Sequence, residues 1–115
     1  MAGAIQQINR YSSYRILTIA SGQTVSDAFD AREFAAFGVV IPATLTGSTI
    51  SFQVSHDGVT FQALHKNTSD VAWSITVTDA KCYPLPSDLE SWPFFKIVSA
   101  SAETPARTLY IVGKG

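Results

Sequence analysis

Apolar and polar side chains alternate along the segment 48–64, near the middle of the chain. The apolar positions of its first half are Ile50, Phe52 and Val54. This period is typical of a β-strand with one buried and one solvated face. Asp57-Gly58 follows and favours a tight reversal, because glycine adopts positive φ at little cost and aspartate bonds the nearby backbone. The segment is therefore predicted to be a β-hairpin with Asp57 and Gly58 as its turn-formers.

Similar strand patterns recur along the chain at intervals of about ten residues. Nine strands are predicted, near residues 14–20, 23–31, 37–41, 49–55, 60–65, 71–78, 81–85, 94–99 and 107–113. Ser87 and Glu90, which follow Pro86, match a capping box and predict one helical turn. Strands with this spacing indicate an antiparallel sandwich or barrel rather than alternating β-α-β units.

Residues 1–13 show no clear period and are predicted to be an N-terminal extension of a single β-sandwich domain, 14–115. Ile5 and Ile8 are the large apolar residues of this extension, and Tyr11 and Tyr14 flank its end. Tyrosine is enriched at protein interfaces, so these four residues are candidate partner contacts. Two roles stay open for Tyr11 and Tyr14, which either anchor the extension on the domain or dock on a partner.

The charge balance limits the classes of partner. The 115 residues include 8 Lys and Arg and 9 Asp and Glu, for a net charge of −1. A nucleic-acid partner is not expected, because a nucleic-acid-binding protein would carry a basic stripe. Charged residues make up only 15% of the chain, and so weakly charged a surface suits a protein that packs against others. No apolar run is long enough for a membrane span, and no signal peptide is predicted.

Motifs for catalysis, cofactors or metals are not found in the sequence. His56 and His65 have no nucleophile motif beside them, and the acidic residues are scattered. There is no glycine-rich phosphate loop and no pair of metal ligands at a known spacing. We therefore expect neither an enzyme nor a cofactor. The single cysteine, Cys82, excludes an internal disulfide and is predicted to be a buried, inert thiol.

The two tryptophans have different predicted settings. Trp73 alternates with Ile75 and Val77, so it is predicted to lie on the inward face of its strand. Trp92 immediately precedes a predicted strand that begins at Phe94. Two interpretations stay open for Trp92, of which the first is favoured: a plug at the end of the sandwich, or an exposed platform for stacking sugars.

Several ordered motifs resemble those of a known group of phage proteins. The hairpin 54–61 resembles the Ser-x-Asp-Gly-x-Thr-aromatic hairpin of discoidin-like jelly rolls, and it is also similar to a shortened Asp-box. Ile41-Pro42 precedes this hairpin, and Trp92-Pro93-Phe94-Phe95 follows it. In order and spacing, the span 21–112 resembles small β-sandwich proteins encoded beside the head genes of tailed bacteriophages.

This resemblance implies a fold and a function. The fold would be an all-β, jelly-roll-like antiparallel sandwich of eight or nine strands with at most one short helical turn. The function would be that of a non-enzymatic virion protein, a capsid decoration or cement protein. Made in the host cytoplasm, it would bind the major capsid protein on the capsid exterior, as a homo-oligomer or in many symmetric copies. A tail or baseplate component and a glycan-binding module are the alternatives.

Overall fold

The computed structural model describes residues 12–32, 36–42, 44–66 and 71–114. Within these ranges the chain forms nine strands and one short 3-10 helix. The strands are β1 (Ser12–Ile19), β2 (Phe29–Asp30), β3 (Ala36–Val40), β4 (Thr49–Ser55), β5 (Gln62–Ala63), β6 (Ser74–Thr76), β7 (Cys82–Pro84), β8 (Phe94–Ser99) and β9 (Arg107–Lys114). The 3-10 helix, Ser87–Ser91, lies between β7 and β8.

The strands form two antiparallel sheets. The four-stranded sheet has the order β1-β9-β3-β7, and the five-stranded sheet has the order β2-β8-β4-β5, with β6 paired beside β5 on the same edge of β4. The chain crosses repeatedly from one sheet to the other, so that most strands adjacent in sequence lie in different sheets. This interleaving is jelly-roll-like, and the predicted all-β sandwich is confirmed.

Three phenylalanine rings lie at the centre of the core between the sheets. Phe29 and Phe95 belong to the five-stranded sheet and Phe37 to the four-stranded one. Their ring centroids lie 5.0 Å (Phe29 to Phe95), 5.6 Å (Phe37 to Phe95) and 5.9 Å (Phe29 to Phe37) apart. Alternate residues of β1 and β9 complete the core on the four-stranded side with Leu17, Ile19, Leu109 and Ile111. Aromatic pairs at these distances add to the stability gained from burial.

The predicted strand over residues 23–31 is wrong in its length. Only Phe29–Asp30 forms a strand there, preceded by single bridges at Val25 and Ser26. Side chains take backbone donors on both neighbouring strands: the Ser26 hydroxyl accepts from the Ile97 N–H of β8 at 3.0 Å, and the Asp27 carboxylate accepts from the Thr18 N–H of β1 at 2.8 Å. These two donors are therefore not available to a continuous ladder.

The helical turn is present, but the predicted capping box is wrong. Pro86 rather than Ser87 is the N-cap of the 3-10 helix, and no side chain makes a capping hydrogen bond there. The Leu89 backbone N–H donates to the Pro86 carbonyl at 3.1 Å, which is the first main-chain bond of the 3-10 helix.

Cys82 is exposed, so its predicted burial is also wrong. In β7 the half-buried Tyr83 packs against the core, while its neighbours Cys82 and Pro84 are exposed. Since side chains alternate along a strand, Cys82 has to lie on the outward face when Tyr83 faces inward.

A buried carboxylate holds one end of the sandwich together. The side chain of Glu103 is fully buried. Its oxygens accept hydrogen bonds from the backbone N–H groups of Thr46 (2.8 Å) and Gly47 (3.0 Å), from the Ser99 hydroxyl (2.7 Å) and from Arg107 Nε (3.1 Å). Burial alone would raise the pKa of Glu103, but these bonds outweigh it and lower the pKa from 4.5 to about 2.

The main chain of Glu103 ties down a further loop. Its carbonyl accepts from the Gly22 N–H at 2.6 Å, and its N–H donates to the Gln23 carbonyl at 3.0 Å. Glu103 thereby joins the β1–β2, β3–β4 and β8–β9 connections. We call this group the Glu103 clamp.

Because of the Glu103 clamp, we expect the free energy of unfolding to fall in acid. Because the folded pKa of Glu103 lies below its unfolded value, the stabilisation is present above about pH 4.5 and is lost as the pH falls toward 2. Glu103→Gln replaces the carboxylate with an amide, and the amide NH2 group then faces hydrogen-bond donors and cannot accept from them. We expect the free energy of unfolding at pH 7 to fall by about 3 kcal/mol.

Denaturant titration at pH 7 and at pH 3 measures this effect. The difference between wild type and Glu103→Gln should shrink at pH 3, because Glu103 is then protonated in the unfolded wild-type chain but still ionised in the folded one. Glu90→Gln, on the exposed side of the 3-10 helix, is the matched control and should stay within about 0.5 kcal/mol of wild type. A difference that does not change with pH would contradict the assigned role.

Candidate functional site

The middle of the outer face of the four-stranded sheet is apolar across all four strands, between a row with Thr18 and Thr108 and a row with Ser12 and Lys114. Two cross-strand rows define this surface, which we call the apolar face: Tyr14–Val112–Gly38–Pro84 and Ile16–Tyr110–Val40–Cys82. None of these eight residues is a Lys, Arg, Asp, Glu or His. The inner residues of the same strands form the core, so this sheet is apolar on both sides.

The large side chains of the apolar face are open to solvent. Ile16 is 53% exposed, Tyr14 58%, Tyr110 40% and Val112 42%. The rings of Tyr14 and Tyr110 pack edge to face, with their centroids 5.7 Å apart. Contiguous exposed apolar patches are often contact surfaces, so the apolar face is a candidate interaction site.

Of the predicted partner contacts, Tyr14 lies within the described residues and belongs to this surface. Ile5, Ile8 and Tyr11 lie outside the described residues. The remaining residues of the apolar face were missed in the sequence. The available signal was the unbroken apolar run Leu109-Tyr110-Ile111-Val112, which departs from the alternation expected when one face of a strand is solvated.

Asp57 and Gly58 form the turn that follows β4. Asp57 Oδ1 accepts hydrogen bonds from the backbone N–H groups of Val59 at 2.8 Å and Thr60 at 3.1 Å, and from the Ser55 hydroxyl at 2.9 Å. These bonds lower the pKa of Asp57 to about 2. Gly58 has φ +80°, a conformation that favours glycine. The Asp57 carboxylate therefore stabilises the turn.

Trp73 lies beside β6 and is half-buried. It packs against the core together with Ile75, while Ser74 and Thr76 are exposed. The indole Nε1 donates to Asp88 Oδ2 at 2.6 Å. The tryptophan is therefore on the inward side but not fully enclosed, because β6 is a short edge strand that pairs with β4.

A second feature is a cavity of about 270 Å³ at the end of the sandwich where β4 ends and β8 begins. We call it the end cavity. Its lining residues are Val54, Ser55, His56, Thr60, Gln62, Ala63, Leu64, His65 and Trp92. Trp92 is half-buried and packs against the core, so it is both a core contact and part of the cavity wall.

Within the described ranges, no group of three or more His, Cys, Asp or Glu residues could hold a metal ion. Across the same ranges, no helix has the length and apolar character to span a membrane.

Comparison with known proteins gives one structural similarity. No protein-family model and no curated protein matches the chain. The crystal structure of the SPBc2 prophage-derived protein YomS matches with a TM-score of 0.57 and 15% sequence identity, over 96% of this chain and 100% of the YomS chain. At this identity the match shows a shared fold, and the protein that shares it comes from a prophage.

The turn geometry predicts different costs for two glycine substitutions. Gly22 (φ +82°) and Gly58 (φ +80°) carry the same backbone strain, but an added Cβ meets nothing within 4 Å at Gly22 and lies 3.3 Å from the Phe94 ring at Gly58. Gly22→Ala should cost about 1 kcal/mol of stability, and Gly58→Ala about 2 kcal/mol. Chemical denaturation of both variants measures the difference. Equal costs would show that the Phe94 contact is unimportant.

Proposed function

We propose that this protein is a decoration protein of a phage head, which attaches to the major capsid protein through the apolar face. The observation that carries the proposal is the apolar face itself, an exposed surface of eight uncharged residues on a four-stranded sheet. The resemblance of the ordered motifs to head-gene sandwiches supports the phage setting, as does the fold shared with a prophage-derived protein. The role needs no catalytic group, and the attached protein would lie on the capsid exterior.

The physical properties of the apolar face suit attachment to a repeating shell. Removing its side chains from water stabilises a complex by roughly 25 cal/mol per Å² of apolar area. Tyr14 and Tyr110 are of the residue type most enriched at such interfaces. A capsid offers many identical positions, so a modest affinity for each one would suffice if a homo-oligomer bound several together. We assign Ile5, Ile8 and Tyr11, which precede β1 in the sequence, to the same partner.

The absence of charge from the apolar face makes salt dependence informative. Attachment through uncharged groups should weaken little between low and high salt, because screening acts on charges. Binding that falls steeply with added salt would point to the charged residues elsewhere on the domain.

Lysine substitutions test the face directly. Ile16→Lys and Val112→Lys should each weaken binding to purified heads that lack the protein by at least about tenfold, since a buried lysine without a partner is costly. Val59→Lys is the matched control, because Val59 is 81% exposed on the β4–β5 turn and lies outside the apolar face. Thermal unfolding of each variant confirms that the fold persists.

The outcomes distinguish binding to heads through the apolar face from binding through another surface and from binding to tails. Weakened binding by the two face variants and normal binding by Val59→Lys supports the proposal. Equal binding by all three variants would remove the apolar face from the interface. Wild-type protein that associates with purified tails and ignores heads would contradict the head assignment.

A further inference from the structure

The end cavity combines an apolar wall with a polar rim. Val54 and Leu64 are 6% and 7% exposed and form its apolar part with Trp92. The other large lining side chains, those of His56, Thr60, Gln62 and His65, are exposed at the rim. A ligand that fits has to present one apolar surface and several hydrogen-bonding groups.

The rim offers both hydrogen-bond donors and acceptors. Gln62 supplies an amide, Thr60 a hydroxyl and the two histidines ring nitrogens. His65 Nδ1 lies 3.3 Å from the Ala63 carbonyl oxygen, so in a neutral ring Nδ1 carries the proton and Nε2 is an acceptor. Hydroxyl groups, which donate and accept, match such a mixed rim best.

The cavity lining contains no Lys, Arg, Asp or Glu. The nearest acid in sequence is Asp57, whose Oδ1 accepts from the backbone N–H groups of Val59 and Thr60. Its Oδ2 lies 3.9 Å from Nε2 of His56. A phosphate or a carboxylated sugar would find no lysine or arginine to pair with. The ligand class that fits is therefore neutral.

We infer that the end cavity binds a single ring of a neutral saccharide, with its C–H face against Trp92 and its hydroxyls at the rim. The volume of about 270 Å³ lies just below the range of about 300–1,000 Å³ found for drug-sized ligands. One hexose or N-acetylhexosamine ring suits this size. An aromatic wall with a few convergent polar groups is the usual composition of small-ligand sites.

The location keeps this activity separate from the proposed attachment. The end cavity is built mainly from the β4–β5 region of the five-stranded sheet, whereas the apolar face is the outer face of the four-stranded sheet. A protein held by the apolar face would leave the cavity open to sugars in the surroundings. Saccharide binding by the purified protein can therefore be tested separately from capsid attachment, and either result is independent of the other.

The test uses tryptophan fluorescence and saturation-transfer NMR on the full chain. The chain has two tryptophans, so Trp73→Phe leaves Trp92 as the sole indole reporter. Glucose, galactose and N-acetylglucosamine are titrated separately into this protein to tens of millimolar, and inorganic phosphate is titrated in parallel. At least one sugar should give a saturable change in Trp92 emission and sugar ring protons saturated by the protein.

Paired glutamine variants locate the site. Gln62→Ala should weaken sugar binding about fivefold, because a side-chain hydrogen bond is lost. Gln53→Ala, on the outer face of β4 and outside the cavity lining, should leave the affinity within about twofold of the parent. Trp92→Ala should weaken binding more than about tenfold, with circular dichroism as the check on folding.

Three results would overturn the inference. These are the absence of saturable binding for all three sugars, equal loss of affinity in the Gln62 and Gln53 variants, and phosphate binding that displaces the sugar.

Discussion

Each sheet packs one of its two faces against the other sheet, and the other features of the structure depend on this constraint. Phe37 on one sheet contacts Phe29 and Phe95 on the other, and side-chain alternation then fixes what each sheet presents outward. The two outer faces differ. Outward positions of the five-stranded sheet include Ser51, Gln53 and Lys96, whereas the two middle outward rows of the four-stranded sheet are apolar. The apolar face thus follows from the register of β1 and β9 once Leu17 and Leu109 are buried.

The two ends of the sandwich have different chemistry. β4 and β8 run antiparallel, which places Ile50 beside Ser99 at one end and Ser55 beside Phe94 at the other. The Glu103 clamp occupies the first end and satisfies a buried charge with four donors, without which burial would be costly. The second end carries the Asp57 turn and the end cavity. One end is closed by internal hydrogen bonds, and the other provides a cavity and a polar rim.

Local patterns in the sequence predict most of the fold. Alternation in β4, the regular spacing of apolar segments and the Asp57-Gly58 pair lead to the nine strands and the hairpin. Features that depend on distant residues were not predictable in the same way. Glu103 meets Thr46, which is 57 positions away, and the end cavity joins Trp92 to the β4–β5 hairpin. The burial of Cys82 and Trp73 depended on where β7 and β6 lie in their sheets, which sequence alternation alone does not specify.

The central claim is that the apolar face is the surface by which this protein joins a larger assembly. Cryo-electron microscopy of purified heads carrying the protein tests it most directly. The account predicts density for the domain on the capsid exterior, with Tyr14, Ile16, Tyr110 and Val112 against the shell and the Asp57-Gly58 turn in solvent. A domain bound through its five-stranded sheet, with the apolar face open to solvent, would contradict it.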